Sequence, residues 1–592
     1  MSKWVPALLI VTFICLFFAP ALIPGNIFFH LDNAFQNIPF RYYMSSSLMD
    51  GRVPLWCPYA AAGFPIYAEG QAGVLYFLNW ITIWLFPFSV AYNLNLLIHF
   101  AITGIGFYYM AKSLRMTAPA ALFGAIGWML SGYFIRRIMF VNFILVITWI
   151  PVLCWLWLKW IRTGNRKWQV IASLVIAIQI YAGHPQGTVI SFVVLAFWML
   201  WVPSTTKLYK RIWEGLFIVF GGVLIGMGQW LPTLRIMLQS ERSSEYSFSG
   251  ATQMSFPLAF FPSLFYPDPF GNAAKSSFFG AWQAYEWELS AYLSIVLISM
   301  IFFIPRNDRR AWVFKMMVLI GFILALGNAT PLYALIGNVP LLNTMRIPSR
   351  WLVITTFGFC GLGALGLNRL IVAEESDRKD IVKRCRRYLI PFSSVLCVFI
   401  AIHVIRNYPT NMAAGDLIRF GNWLIILFAV VLLIMKAARR KLSIRTVSLL
   451  LVILFWDQWS ADGRYPGIGP ADMILSRPEK LQTLKTNIDS DYRIFSFLYE
   501  NVMPGTFKIQ KNWHQGWSTE DYGDYATYYQ NYPMYSGMIT NTDIITFNEI
   551  SPLHSYYYSR VYKFGYHMNP SVLSYMSVKY VITPGRLTSP FP

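Results

Sequence analysis

"HLDNAFQNIPFRYYMSSSLMDGRVPLWCPYAAAGFPIYAEGQAGVLY", His30 to Tyr76, lies between two strongly apolar runs near the start of the chain. It is dense in acids, amides, arginines, prolines and tryptophans, so it reads as a structured loop joining two membrane segments. Asp32 comes a few residues after the first run, which puts it at the membrane surface. Gln36 and Arg41 then mix with Phe35, Ile38 and Phe40, the pattern of a short helix lying along an interface. Gly51, Pro54, Pro58, Gly63 and Pro65 punctuate the stretch that also carries Trp56 and Tyr59, and turn residues at that density hold a loop in one shape. Glu69 and Gln71 head the next apolar stretch. A rigid polar loop presenting carboxylates at a membrane surface suits a reaction on a lipid-linked substrate. There Asp32 can act as a base towards an acceptor hydroxyl, with Glu69 as a second acid. The bland alternative for Asp32 is an N-cap of the interfacial helix.

Of the 592 residues, 56% are hydrophobic and 13% are charged, against roughly 25% charged in soluble domains. Apolar runs of about 20 residues recur, each long enough to cross a ~30 Å hydrocarbon core. The fold class is a polytopic α-helical membrane protein with about 13 transmembrane helices. They are expected near 5–24, 90–111, 117–135, 139–160, 168–183, 187–203, 212–232, 287–304, 312–328, 348–371, 388–406, 419–435 and 446–460. "APA" at Ala19–Ala21 offers a signal-peptide alternative for the first run, but the run is long for such a signal and is read as a span.

The formal net charge of +21 follows the topology. With the N-terminus in the cytoplasm, alternate loops hold Lys112 and Arg115, then Arg162, Arg166 and Lys167, then Lys207, Lys210 and Arg211. The series continues with Arg306, Arg309 and Arg310, with six cations from Arg378 to Arg387, and with Lys436 to Lys441. Every inner loop is basic, as the positive-inside rule requires. No separate basic stripe with interleaved aromatics points to nucleic acid.

The first 460 residues form the membrane domain, with outer loops 25–88 and 233–286. From 461 to 592 the apolar runs stop, and 16 of the 34 tyrosines fall here. This segment is expected to be an extracytoplasmic mixed α/β domain, with a strand over Ser577–Thr583 and a short helix after Asn569-Pro570. Five of the six cysteines lie in spans or an inner loop and only Cys57 lies outside, so no disulfide framework is implied.

Some outer-face cations are not explained by topology. Arg136 and Arg137 follow the third span, His184 and Gln186 sit in "YAGHPQGT", and Arg346 and Arg350 flank Pro348. Arginine holds phosphate bidentately, so all but Gln186 are candidates for a lipid phosphate. Headgroup contact is the alternative for Arg136 and Arg137, and a structural turn for His184. Gln36, Arg41, Gln71, Gln186, Trp56 and Tyr59 are candidate substrate contacts. No metal ligands are assigned, and a divalent cation is left open as a cofactor.

"HLDNAFQNIPF", "GRVPLWCPYAAAGFPIYAEGQAGVLYFLN", "YAGHPQGT", "RIPSRWLVITTFGFCGLGALGLNRL" and "NPSVLSYMSVKYVIT" together resemble the bacterial YfhO family of membrane proteins, in family order over almost the whole chain. That family is similar in architecture to GT-C glycosyltransferases, which use polyprenyl-phosphate-linked sugars on the outer side of the membrane. The resemblance implies a GT-C-like arrangement in the bacterial cytoplasmic membrane, with the C-terminus outside. It implies that Asp32 is the acid of the first outer loop, that outer-face Arg and His residues receive the donor phosphate, and that the acceptor is a cell-envelope glycan, lipid or protein. Many GT-C members place two neighbouring acids in this loop, whereas "LDN" has one.

Two other classes compete. A lipid or glycan transporter would need ionisable residues deep in the spans, where His99 and His403 are the candidates and only His99 lies near a centre. A non-catalytic envelope assembly protein would tolerate loss of Asp32. Phosphate-loop, dinucleotide, HExxH and CxxC motifs are absent.

Overall fold

A computed structural model describes residues 4–30, 32–58, 63–239, 248–271, 286–337, 345–407, 414–439, 442–463, 465–475, 493–496 and 578–582. Helix α1 (Val5–Phe17) starts with Pro6 in its first turn, where a missing N–H costs nothing. The chain then turns through Gly25, at φ 86°, into strand β1 (Asn26–Phe28). A π-helical turn, Asn33–Asn37, leads into α2 (Ile38–Met49). This is the helix that the mixed pattern after Asp32 predicts. Beyond the proline-rich turns come α3 (Phe77–Leu85), α4 (Phe88–Ser113) and α5 (Ala118–Met129).

Among the described residues, seven helices are long and apolar enough to cross a membrane, with bounds Phe88–Ser113, Ala118–Arg136, Val141–Thr163, Pro348–Val372, Glu375–Arg406, Leu417–Lys436 and Ile444–Asp462. Several of the 13 expected spans are interrupted or shorter than a full crossing. The run expected at 212–232 is a broken pair, Leu208–Ile225 and Met227–Gln239, bent by 78°. Val5–Phe17, Lys167–Tyr181 and Pro185–Trp201 are apolar but shorter. The run expected at 287–304 is helical only over Glu286–Leu289 and Ile295–Ile301. Prolines, glycines and polar junctions cut these helices, whereas a hydropathy window averages across them.

Helix α6 (Pro185–Trp201) flanks the centre, which is occupied by α7 (Leu352–Val372). The span containing α7 has 94% of its core window buried inside the protein, against 28% for Glu375–Arg406 and Leu417–Lys436, which therefore form the rim. Trp128 of α5 is the keystone between α4, α5 and α7. Its ring lies 4.9 Å from Phe357 and 4.8 Å from Phe134, and its indole N–H donates to Thr103 at 2.7 Å.

The two ends of the bundle differ in charge. At one end Arg310 donates to the Leu114 carbonyl and Arg384 to the Ile304 carbonyl, so basic loops distant in sequence meet there. Tyr92, at the other end of α4, donates to Asn33. It is 20 residues from Lys112, about 30 Å along a helix.

The last span, α8 (Ile444–Asp462), runs into Tyr465, which is buried, and then β2 (Ile468–Pro470), which pairs antiparallel with β1. The residues just past 460 are thus tied to the first loop. Farther on, β3 (Arg493–Ser496) pairs in parallel with β4 (Val578–Ile582), within the strand expected at Ser577–Thr583. The rest of the expected 461–592 domain, including the helix after Asn569-Pro570, lies outside the described residues.

Candidate functional site

Asp32 occupies the N-cap position of the π-turn, yet its side chain makes no capping hydrogen bond. The backbone there is held by other groups: the Asn37 amide donates to the Asp32 carbonyl at 3.0 Å and to the Met139 carbonyl at 2.8 Å. The carboxylate is half-buried, and burial raises its pKa from 3.8 to about 6. The positive charge of Arg350 opposes the rise and the negative charge of Glu288 adds to it. Asp32, Arg350 and Glu288, far apart in sequence, are therefore within electrostatic reach of one another.

Arg350 is the hub. Its Nε and Nη2 donate to Glu288 Oε1 at 3.0 and 2.9 Å, and its Nη1 donates to Gln186 Oε1 at 3.2 Å. The guanidinium lies over the rings of Phe140 and Phe143 at 5.1 and 5.4 Å, while 12% of the side chain is exposed. The Gln186 amide donates to the Arg346 carbonyl at 2.8 Å, which fastens the "YAGHPQGT" junction to the "RIPSR" loop. Arg346 is half-buried and forms no ion pair among the described residues.

His184 caps α6: its Nδ1 accepts from the Gly187 N–H at 3.1 Å. The structural alternative is therefore real for Nδ1. In the neutral ring that bond leaves the proton on Nε2, and Nε2 lies 3.3 Å from Nη1 of Arg350, itself a donor.

Glu69 is buried and accepts from the backbone N–H of Gln71 at 2.9 Å and from the Gln71 side chain. Gln71 Oε1 accepts from Asn142 at 3.3 Å, and the Asn142 amide also reaches the Gly183 carbonyl at 3.3 Å. Gly183 has φ 82°, and a Cβ there would meet the Gly70 carbonyl oxygen at 1.9 Å. Only glycine lets the Glu69–Gln71 turn lie this close to His184. The structure thus gathers Asp32, Glu69, Gln71, His184, Gln186, Arg346 and Arg350 at one end of the bundle.

Arg136 and Arg137 belong to a different arrangement from the headgroup or phosphate contacts expected of them. They are 1% and 0% exposed. Arg136 pairs with Asp268 at 2.6 Å and Asp462 at 2.7 Å, and Arg137 with Glu288 at 3.2 Å. Arg419 also pairs with Asp268. A fully buried arginine needs such partners, and the carboxylates take the positions a phosphate would occupy. Gln36 is buried with its amide nitrogen unpartnered, Arg41 lies apart against Asn79, and Trp56 is exposed. Tyr59 lies outside the described residues.

Glu288, Asp268 and Asp462 were missed by reading the sequence. The available signal was an acid at the edge of an apolar run, as in "EWELSAYLS" and "FWDQWSAD". Asp457 was missed in the same way. It accepts from Ser294 at 2.6 Å and Tyr292 at 2.9 Å inside the last span, so His99 and His403 are not the only ionisable groups there. Both ring nitrogens of His99 are engaged, by Tyr76 and by the Asn95 carbonyl. Among the described residues no group of three or more His, Cys, Asp or Glu is placed to hold a metal ion.

No family model matches the sequence, and no curated protein matches it. Similar solved structures include the arabinofuranosyltransferase AftD from Mycobacteria, with a TM-score of 0.46 at 13% identity over 84% of this chain and 31% of that one. They also include ArnT from Cupriavidus metallidurans bound to undecaprenyl phosphate, with a TM-score of 0.44 at 11% identity over 89% of this chain and 88% of that one. The chain spans less than a third of the length of AftD.

Proposed function

We propose that this chain is a membrane glycosyltransferase that moves a sugar from a polyprenyl-phosphate donor to a cell-envelope acceptor. The observation that carries the reading is the convergence of Asp32, which has no capping role, with Arg350 and His184, whose side chains lie 3.3 Å apart at the same end of the bundle. The basic loops at the opposite end face the cytoplasm by the positive-inside rule, which puts this site at the outer surface of the cytoplasmic membrane. The chain beyond residue 460 is then extracytoplasmic.

In this mechanism the donor phosphate is held by Arg346, by Nη1 of Arg350 and by Nε2 of His184. Asp32, ionised above about pH 6, takes the proton of an acceptor hydroxyl. The oxygen displaces polyprenyl phosphate from the sugar carbon, and the leaving phosphate keeps the electron pair. Arginine and histidine donors stabilise the charge that builds on it. Glu288 neutralises part of Arg350 and fixes its orientation. Glu69 holds the Gln71 turn, a positioning role beside the base.

The test is release of polyprenyl phosphate by purified wild type and Asp32→Asn protein, given a panel of polyprenyl-phosphate sugars with envelope material as acceptor. Turnover by wild type and none by a folded Asp32→Asn protein is expected. Equal turnover by both removes Asp32 as base. If both are inert across the panel, the transferase reading falls. Transport is the second reading, favoured by the helix pair broken at 78° and by buried Asp457.

A further inference from the structure

Arg41 is 4% exposed, and no carboxylate lies on its cleft among the described residues. One nitrogen, Nη1, donates to Asn79 Oδ1 at 2.8 Å, while Nε and Nη2 have no partner among the described residues. Asn79 Oδ1 already accepts from Asn95 at 3.1 Å, and the Asn79 amide donates to the Gly73 carbonyl at 2.9 Å. The network that fixes Arg41 is therefore neutral. Partly exposed Arg350 and fully buried Arg136 and Arg137 each have a carboxylate, whereas buried Arg41 has none among the described residues. A buried guanidinium left uncompensated is costly, and an anion supplies what the protein does not.

Arg41 lines a small half-open cleft between α2, α3 and α4, with Asn79, Thr82, Ile83, Tyr92 and Asn95. Asn95, also on this cleft, has a buried acceptor, Oδ1, with no partner among the described residues. The lining residues thus carry two unpartnered N–H donor groups on a cation and one unpartnered acceptor. A phosphate monoester, which presents both charged oxygens and a hydroxyl, matches that set. The cleft lies in the first turns of the span that begins at Phe88. Exposed Ile81, Trp84 and Leu85 on α3 lie beside it, as expected at the headgroup level of a bilayer.

We infer that the Arg41 cleft is a second anion site, separate from the Arg350 hub, which binds a phosphate group carried by a membrane lipid or free in solution. The inference does not depend on the transferase reading.

The experiment uses the full chain in neutral detergent. Thermal melting and native mass spectrometry are followed with dodecyl phosphate, with inorganic phosphate, and with dodecyl maltoside alone, for wild type, Arg41→Gln and Ala91→Leu. Ala91→Leu fills the cleft and leaves the guanidinium in place. Dodecyl phosphate should raise the wild-type Tm with the logarithm of its concentration, with binding about tenfold or more weaker in both variants. A response to dodecyl phosphate alone identifies a lipid phosphate; an equal response to inorganic phosphate identifies the free ion. No binding by wild type, or equal binding in Ala91→Leu, overturns the proposal. If Arg41→Gln does not fold, Ala91→Leu alone decides it.

Discussion

Oε1 of Glu288 accepts from both Nε and Nη2 of Arg350, at 3.0 and 2.9 Å, while Oε2 of the same carboxylate takes Nε of Arg137. One buried acid thus orients a partly accessible arginine and neutralises an inaccessible one. Glu288→Ala leaves two cations without it and should destabilise the protein by about 3–5 kcal/mol, read as a lowered unfolding midpoint in detergent. A midpoint unchanged from wild type would contradict the ion-pair network.

Asp32 titrates in the opposite sense to a salt-bridged carboxylate. Its folded-state pKa, about 6, lies above the ordinary 3.8, so its contribution to stability is fully present below pH 3.8 and is lost as pH rises through 6. Asp32→Asn should gain stability relative to wild type across that window and stay level above it. His30, lowered by burial from 6.5 to about 3, contributes stability above pH 6.5 that is lost as pH falls towards 3. It is common to both proteins and cancels in the comparison. The check is the difference in Tm between the two proteins from pH 4 to pH 8; a flat difference would remove the raised pKa. Transfer activity should rise with pH along a limb of apparent pKa about 6.

Gly183→Ala drives a Cβ to within 1.9 Å of the Gly70 carbonyl oxygen, at a φ of 82°. The clash is with backbone, so the Glu69–Gln71 turn must move away from His184. A loss of about 1–3 kcal/mol is expected, together with a fall in kcat larger than any change in acceptor KM. Gly164→Ala is the control: its φ is 64° and a Cβ there meets nothing within 4 Å. It should cost less stability and leave kcat unchanged.

Arg346 separates donor binding from folding. Its carbonyl ties down Gln186, and its side chain makes no ion pair among the described residues. Arg346→Gln should keep the wild-type Tm within about 1 °C, as expected away from buried networks. It should raise the donor KM about tenfold or more through loss of a charged hydrogen bond. A KM equal to wild type would take Arg346 out of the phosphate site.

The residues beside Asp32 show how far the sequence carries. The pattern after Asp32 is sufficient for a short helix but not for two separate faces, because α2 buries Arg41 together with Phe40. The basic loops are sufficient for one charged end of the bundle. The apolar runs are sufficient for a multi-span helical protein, since apolar segments of that length have few other stable environments. The number of spans is not legible in the same way. Whether Lys167–Tyr181 or the bent pair from Leu208 to Gln239 crosses as one rod depends on what packs beside it, and mean hydropathy is blind to that.

The partners of the arginines were decided by tertiary structure alone. Arg136, Arg137, Arg350 and Arg41 look alike in the sequence: cations on the outer side of the spans. The fold gives Arg136 two aspartates from more than a hundred residues away, and has Glu288 shared by Arg137 and Arg350. It leaves Arg41 with an amide. Charge and hydropathy are properties of single positions and can be read along a chain. Compensation of a buried charge is a property of pairs, set by which distant segments the packing of α4, α5 and α7 brings into contact.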